Sequence, residues 1–176
     1  VSGVPGPAFL EIPMDVLMAP ASLDDTRFPT IRATPPTVHP DPADLQATLD
    51  VLATAERPVL LGGTGVKWSQ GGAALARFAE ATRIPVYLNG MGRGMLRADH
   101  PQFFNRTRRQ AMEECDVFVL VGSPLDFRLR FGAAVPAGAR IVQFDMDATL
   151  IGQNRSADVG VVGNIGAALE QLTDLL

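Results

Sequence analysis

Three clusters in this sequence have residue types and spacings that could do chemistry. Residues 59–68, VLLGGTGVKW, run from apolar residues into Gly62-Gly63-Thr64-Gly65, the makings of a loop whose backbone N–H groups approach a phosphate. Asp145 and Asp147 stand two apart at the end of another apolar run. They share a face if a strand continues through them, whereas Asp147 caps a helix if it does not. Arg106, Arg108 and Arg109 make a basic patch, NRTRRQ, that reads either as a solvated helix start or as a phosphate contact.

Other reactive groups are sparse. The two histidines, His39 and His100, sit at no metal-ligand spacing, so no metal site is expected. Cys115 is the single cysteine and immediately precedes an apolar run, as a small core residue would. No G-x-S-x-G nucleophile elbow occurs, and no catalytic residue is assigned. The NAD fingerprint fails as well: Trp68 stands where its third glycine belongs, and the second strand ends in Asn89 instead of an acidic residue.

The elements that must position these groups follow from hydrophobic patterning. Ala8–Ile12 alternates like a short strand stopped by Pro13, and a proline-rich stretch over 19–40 reads as an extended linker, with Pro35-Pro36 favouring polyproline II. From Asp41 the pattern becomes regular. Asp41 and Pro42 start a helix with Leu45, Leu49 and Leu52 inward, and Pro58–Leu61 is a buried-type strand. A helix is expected over 68–82 with Leu75, Phe78 and Ala79 inward, then strand Pro85–Leu88 and the turn NGMGRG. Helix 107–115, strands Val117–Val121, Ile141–Phe144 and Val159–Val162, and helix Ile165–Leu176 complete the chain. Apolar strands alternating with helices predict an α/β fold, a doubly wound Rossmann-like parallel sheet of five or six strands.

In such a sheet, ligands lie beyond the carboxyl ends of the strands. Those ends read Gly62-Gly63-Thr64-Gly65, Asn89-Gly90-Met91-Gly92, Gly122-Ser123-Pro124, Asp145-Met146-Asp147 and Gly163-Asn164. Any one of them is an ordinary strand-to-helix turn. Five on one edge point to a nucleotide crevice.

Composition narrows the class further. A formal net charge of −4 over 176 residues argues against a nucleic-acid or anionic-membrane partner, and no apolar run approaches the ~20 residues of a membrane span. One cysteine permits no internal disulfide, which fits a reducing cytoplasm.

Read together, three stretches resemble one family. GPAFLEIPMDVL (6–17) is similar to the end of the pyrimidine-binding domain of acetolactate synthase-like thiamine-diphosphate enzymes. ERPVLLGGTGV (56–66) resembles the start of their central domain, and CDVFVLVGSPLDFRLRFG (115–132) with RIVQFDMDATLIGQNRSADVGVVGN (140–164) its second half. The resemblance implies that 1–18 ends a preceding domain, that 19–40 is a linker, and that 41–176 is the central domain of a three-domain homo-oligomer, dimeric or tetrameric. Thiamine diphosphate and Mg2+ would be held by the flanking domains. Their Gly-Asp-Gly motif does not occur here, so this piece alone is expected to be catalytically silent.

The resemblance also implies FAD or ADP in this domain. Gly62, Gly63 and Thr64 would approach the nucleotide; Asn89 and Gly90 would line it. Gly122, Ser123, Asp126 and Arg128 match the family's Gly-Ala-Arg-Phe-Asp-Asp-Arg loop, with Asp145 and then Gly163-Asn164 completing the contacts. Pro124 replaces that loop's first arginine, Phe127 its second aspartate, and Asn164 a further aspartate, while Phe104-Asn105-Arg106-Thr107 stands for a Gly-Met-His-Gly run. The expected activity of the whole enzyme is decarboxylation of a 2-oxo acid with transfer of the carbanion equivalent to a carbonyl acceptor. The alternatives are a 2-hydroxyacyl-CoA or oxalyl-CoA type lyase, a 2-oxo acid decarboxylase, a stand-alone nucleotide-binding module, or a purely structural domain.

Overall fold

The computed structural model describes residues 4–25, 27 and 36–176. The chain divides into two compact units, Val1–Pro36 and Thr37–Leu176. In the first, helix α1 (Met14–Leu17) follows Pro13, and a 3-10 turn covers Leu23–Asp25. Ala8–Ile12, expected as a strand, forms none. An alternating pentapeptide gains sheet hydrogen bonds only from a partner. None is paired with it among the described residues, and its Phe9 is 89% exposed. Most of the Pro35-Pro36 neighbourhood lies outside the described residues.

The second unit starts as its sequence directs. Asp41 Oδ1 accepts the Ala43 N–H at 2.8 Å, capping α2 (Pro42–Ala53), which buries Leu45 and lays Leu49 and Leu52 against the core. Strand β1 (Pro58–Gly62) leads into a short helix α3 (Thr64–Trp68), and α4 (Gly72–Thr82) follows. The single helix expected over 68–82 is therefore a correction. The chain breaks at Gln70, whose φ of 56° is left-handed, and α4 begins two residues later. Leu75, Phe78 and Ala79 do face inward, each fully buried.

Strands β2 (Val86–Leu88), β3 (Val117–Val121), β4 (Arg140–Asp145) and β5 (Val159–Val162) join β1 in one parallel sheet of order β2-β1-β3-β4-β5. Helix α5 (Arg108–Glu114) precedes β3, and α6 (Ile165–Leu175) follows β5. Side-chain alternation sorts the core into two layers. Leu60, Val86, Val119, Val142 and Val161 pack toward α2, α4 and α6. Leu61, Tyr87, Phe118, Leu120 and Ile141 face the other way, where cover comes from Met112 of α5 and Leu125, Leu129 and Val135 of the β3–β4 connection. That connection forms a 3-10 segment (Phe127–Gly132) instead of a regular helix, so the second layer is thin. Arg155 braces it, donating to the carbonyls of Gly132, Val135, Pro136, Ala137 and Ala139. No helix among the described residues is long and apolar enough to cross a membrane.

Candidate functional site

Parallel pairing puts all five strand ends on one rim. Gly62 lies opposite both Leu88 and Val121, Val121 opposite Phe144, and Asp145 opposite Val162. Strand order reverses between β1 and β3, which makes the loops after Gly62 and Val121 the walls of the switch-point crevice.

The base of that crevice is closed by the two loops themselves. The Gly63 N–H donates to the Val121 carbonyl at 2.8 Å, and the Gly65 N–H to the Gly122 carbonyl at 2.9 Å. A Cβ on Gly63 would fall 2.5 Å from both the Gly122 carbonyl oxygen and the Ser123 Cβ, and Gly122 itself has φ of 61°. These glycines are required for loop-against-loop packing, and the Gly63 and Gly65 amides, expected to face a phosphate, are spent inside the protein. Thr64 Oγ1 accepts the Met91 N–H at 3.3 Å, and Gly90 takes a left-handed φ of 50° directly after Asn89.

Above this base stand three buried polar side chains. Asn89, Ser123 and Asp145 are 8%, 5% and 6% exposed. Asn89 Nδ2 donates to Ser123 Oγ at 3.3 Å, tying the β2 end to the β3 end. Asp145 Oδ1 accepts the Asp147 N–H at 3.0 Å. Burial pushes the Asp145 carboxyl above the ordinary carboxylate range, helped by repulsion from Asp147 and opposed by the N–H groups of Asp147 and Met146. Asp147 is a cap: β4 ends at Asp145, and Asp147 Oδ1 accepts the Thr149 N–H at 2.9 Å.

The remaining expected contacts are engaged locally. Asp126 and Arg128 pair with each other at 2.7 Å, so the Arg128 guanidinium is already neutralised. Burial alone would raise the Asp126 carboxyl, yet the hydrogen bonds and charge of Arg128 hold it below the usual range. Asn164 caps α6 by accepting the Ala167 N–H at 3.0 Å, while its own N–H donates to Val38 at 2.7 Å. Gly163 donates to the Asp145 carbonyl at 3.0 Å, and its φ of 151° suits glycine. The rim thus brings together Gly62, Gly63, Thr64, Asn89, Gly90, Gly122, Ser123, Asp145, Gly163 and Asn164, with Asp126 and Arg128 forming a separate pair at the head of the β3–β4 connection.

The other titratable groups do no visible chemistry. Among the described residues no three His, Cys, Asp or Glu side chains group as a metal site. Burial pushes the Cys115 thiol up to about 11, the behaviour of an inert core residue. His100 Nδ1 accepts the Gln102 N–H at 3.1 Å, and His39 Nδ1 meets Gln171 Nε2 at 3.1 Å. Two arginines that the structure singles out escaped the sequence reading. Arg155 contacts carbonyls 16 to 23 positions away, beyond any local pattern. Arg130 could have been noticed as the second cation of Arg128-Leu129-Arg130.

Comparison with known proteins places these features in a family. Residues 45–172 match the family model described as thiamine pyrophosphate enzyme, central domain. The chain is similar to the Mycobacterium tuberculosis acetolactate synthase large subunit IlvG, at 37% identity over 98% of this chain and 31% of the relative. It is also similar to oxalyl-CoA decarboxylase of Escherichia coli, at 32% identity over 97% of this chain and 31% of the relative. The chain therefore spans about a third of the length of these curated relatives. An X-ray structure described as a thiamin diphosphate-dependent enzyme from Mycobacterium smegmatis shares the fold, with a TM-score of 0.69 at 24% identity over 84% of this chain and 30% of that one.

Proposed function

The chain belongs to the family of thiamine pyrophosphate enzyme central domains, and from that premise we propose that it is the middle domain of an acetolactate synthase-like enzyme. That enzyme decarboxylates a 2-oxo acid and passes the carbanion equivalent to a carbonyl acceptor. Thiamine diphosphate, with Mg2+, supplies the electron sink and is held by flanking domains. On this reading residues 1–18 close the preceding domain, 19–40 link it, and 41–176 form a scaffold that is silent alone and works in a cytoplasmic homo-oligomer. The similarity to an acetolactate synthase over 98% of this chain supports it.

The single observation that carries a binding role is the rim, where buried Asn89, Ser123 and Asp145 stand at the carboxyl ends of β2, β3 and β4 in the one parallel sheet. Such a set fits the hydroxyl- and base-bearing part of FAD or ADP: a carboxylate accepts from hydroxyls, while an amide and a hydroxyl both donate and accept. It does not offer a glycine-loop phosphate cradle, because the Gly63 and Gly65 amides are already paired. A second reading, a thioester-cleaving lyase with ADP at the rim, is favoured by the similarity to oxalyl-CoA decarboxylase.

The test is an assay of the enzyme carrying this domain, supplied with thiamine diphosphate and Mg2+, on pyruvate and on oxalyl-CoA. CO2 release with formation of an acetohydroxy acid is the expected result. Turnover of oxalyl-CoA alone would move the assignment to the lyase, and cofactor-independent turnover would contradict both.

A further inference from the structure

The thin layer of the fold holds a cleft of about 340 Å³ between α5 and the segment after β3. Four arginines line it: Arg108 and Arg109 from α5, and Arg128 and Arg130 from the segment. Its floor is apolar, with Met112 and Leu129 only 4% and 2% exposed. In a chain with a net charge of −4, this concentration of positive charge runs against the average.

The four cations are not equivalent. Arg109 Nε is paired with Glu113 Oε1 at 2.9 Å, and Arg128 with Asp126 at 2.7 Å. Arg108 and Arg130 take part in none of the ion pairs or side-chain hydrogen bonds among the described residues. Moreover, Arg130 is set in place against its backbone preference. It and Phe131 have φ of 52° and 54°, the left-handed region that non-glycine residues adopt at a cost. The conformation is held by the Asp126 carbonyl, which accepts from Leu129 at 3.0 Å and Phe131 at 2.9 Å, and by the Arg155 brace on Gly132 and Val135. Two guanidinium groups without an ion-pair partner thus line one cleft from different elements over an apolar floor.

We propose that this cleft binds a phosphoryl or diphosphoryl group of a small molecule, gripped between Arg108 and Arg130. A guanidinium matches phosphate oxygens two at a time, and a multiply charged phosphate satisfies both free arginines where one carboxylate would satisfy one. Arg109 and Arg128, engaged by carboxylates, add long-range attraction. The site depends on Arg108 and Arg130, not on Asn89, Ser123 or Asp145, so it and the rim reading stand or fall separately.

The test is calorimetric titration of the 176-residue chain with inorganic pyrophosphate and, separately, with ADP. Pyrophosphate should bind in a strongly salt-dependent manner, weakening when ionic strength rises from about 0.05 to about 0.5 M. Arg108→Gln and Arg130→Gln should each weaken it at least tenfold, Arg130→Lys by less, and Asp145→Ala should leave it unchanged. Tighter binding of ADP than of pyrophosphate, lost in the same two variants, would identify a nucleotide as the source of the diphosphate; the reverse order would identify the free anion. Absence of pyrophosphate binding, or pyrophosphate binding that survives both glutamine variants, would overturn the proposal, whereas ADP binding that survives them belongs to the rim. Arg130 is exposed and Arg108 half-buried, and a melting curve for each variant separates lost binding from lost folding.

Discussion

Gly63 and Gly122 approach so closely that a Cβ on Gly63 would stand 2.5 Å from the Gly122 carbonyl oxygen. The first two turns of the switch-point crevice are therefore one packed unit, and Asn89 and Ser123 are hydrogen-bonded across its top at 3.3 Å. A backbone oxygen and the Cβ of Ser123, neither of them the far end of a flexible side chain, are what a substituent there would meet. Gly63→Ala should destabilise the domain by about 1–3 kcal/mol, as overpacking of a tight interior does. Gly122→Ala should cost more, because its left-handed φ of 61° adds strain to a contact of 2.6 Å with Gly65 Cα. Urea unfolding midpoints measure both; a neutral Gly63→Ala would mean that the loops move apart freely.

Arg155 should be a stability residue out of proportion to its place in a loop. Arg155→Ala strands carbonyls of the buried Gly132, Val135 and Ala139 and should cost roughly 3 kcal/mol. Arg155→Lys should recover less than half of that, since three ammonium donors cannot reproduce the planar fork. Denaturant titration distinguishes these, and full rescue by lysine would contradict the brace.

Much of this architecture was legible in the sequence, and what was not shares a cause. Val117–Val121, uniformly apolar, reads as a buried strand and takes the centre of the sheet, and Asp41-Pro42 announced a helix start that the structure repeats residue for residue. Ala8–Ile12 shows that an alternating pattern does not make a strand without a neighbour to pair with. The break at Gln70 rests on a left-handed φ at a residue type that gives no warning of it. Likewise, glycines that read as a phosphate loop turned out to spend their amides on Val121 and Gly122, nearly sixty residues downstream. Local patterns gave the elements; contacts distant in sequence decided how the site's donors are used.

Asp145 should make the domain less stable as pH rises. Its folded pKa lies above the unfolded one, chiefly because burial disfavours the charged form. The stability is therefore full below the ordinary aspartate value, near ~3.9, and declines as pH climbs through the raised folded value. Asp145→Asn, which keeps the oxygen that accepts the Asp147 N–H, should melt above the parent at neutral pH and level with it at acidic pH. A lower melting temperature for the asparagine variant at neutral pH would show that the carboxylate is favourably solvated in the fold.

The same carboxylate should matter to any nucleotide at the rim. Asp145→Ala is expected to weaken FAD or ADP binding there by about 1–3 kcal/mol, the loss of a charge-assisted hydrogen bond. Thermal shift with increasing ligand reads this directly. Equal shifts for parent and variant would remove Asp145 from the site.

Whether the five parallel strand ends form one nucleotide-accommodating rim is decided by amide-resolved NMR titration of the chain with ADP and with FAD. Resonances of Asn89, Gly90, Ser123, Asp145 and Gly163 should move together and saturate at one ligand concentration for either compound. Perturbations confined to other surfaces, or no perturbation at saturating ligand, would contradict it.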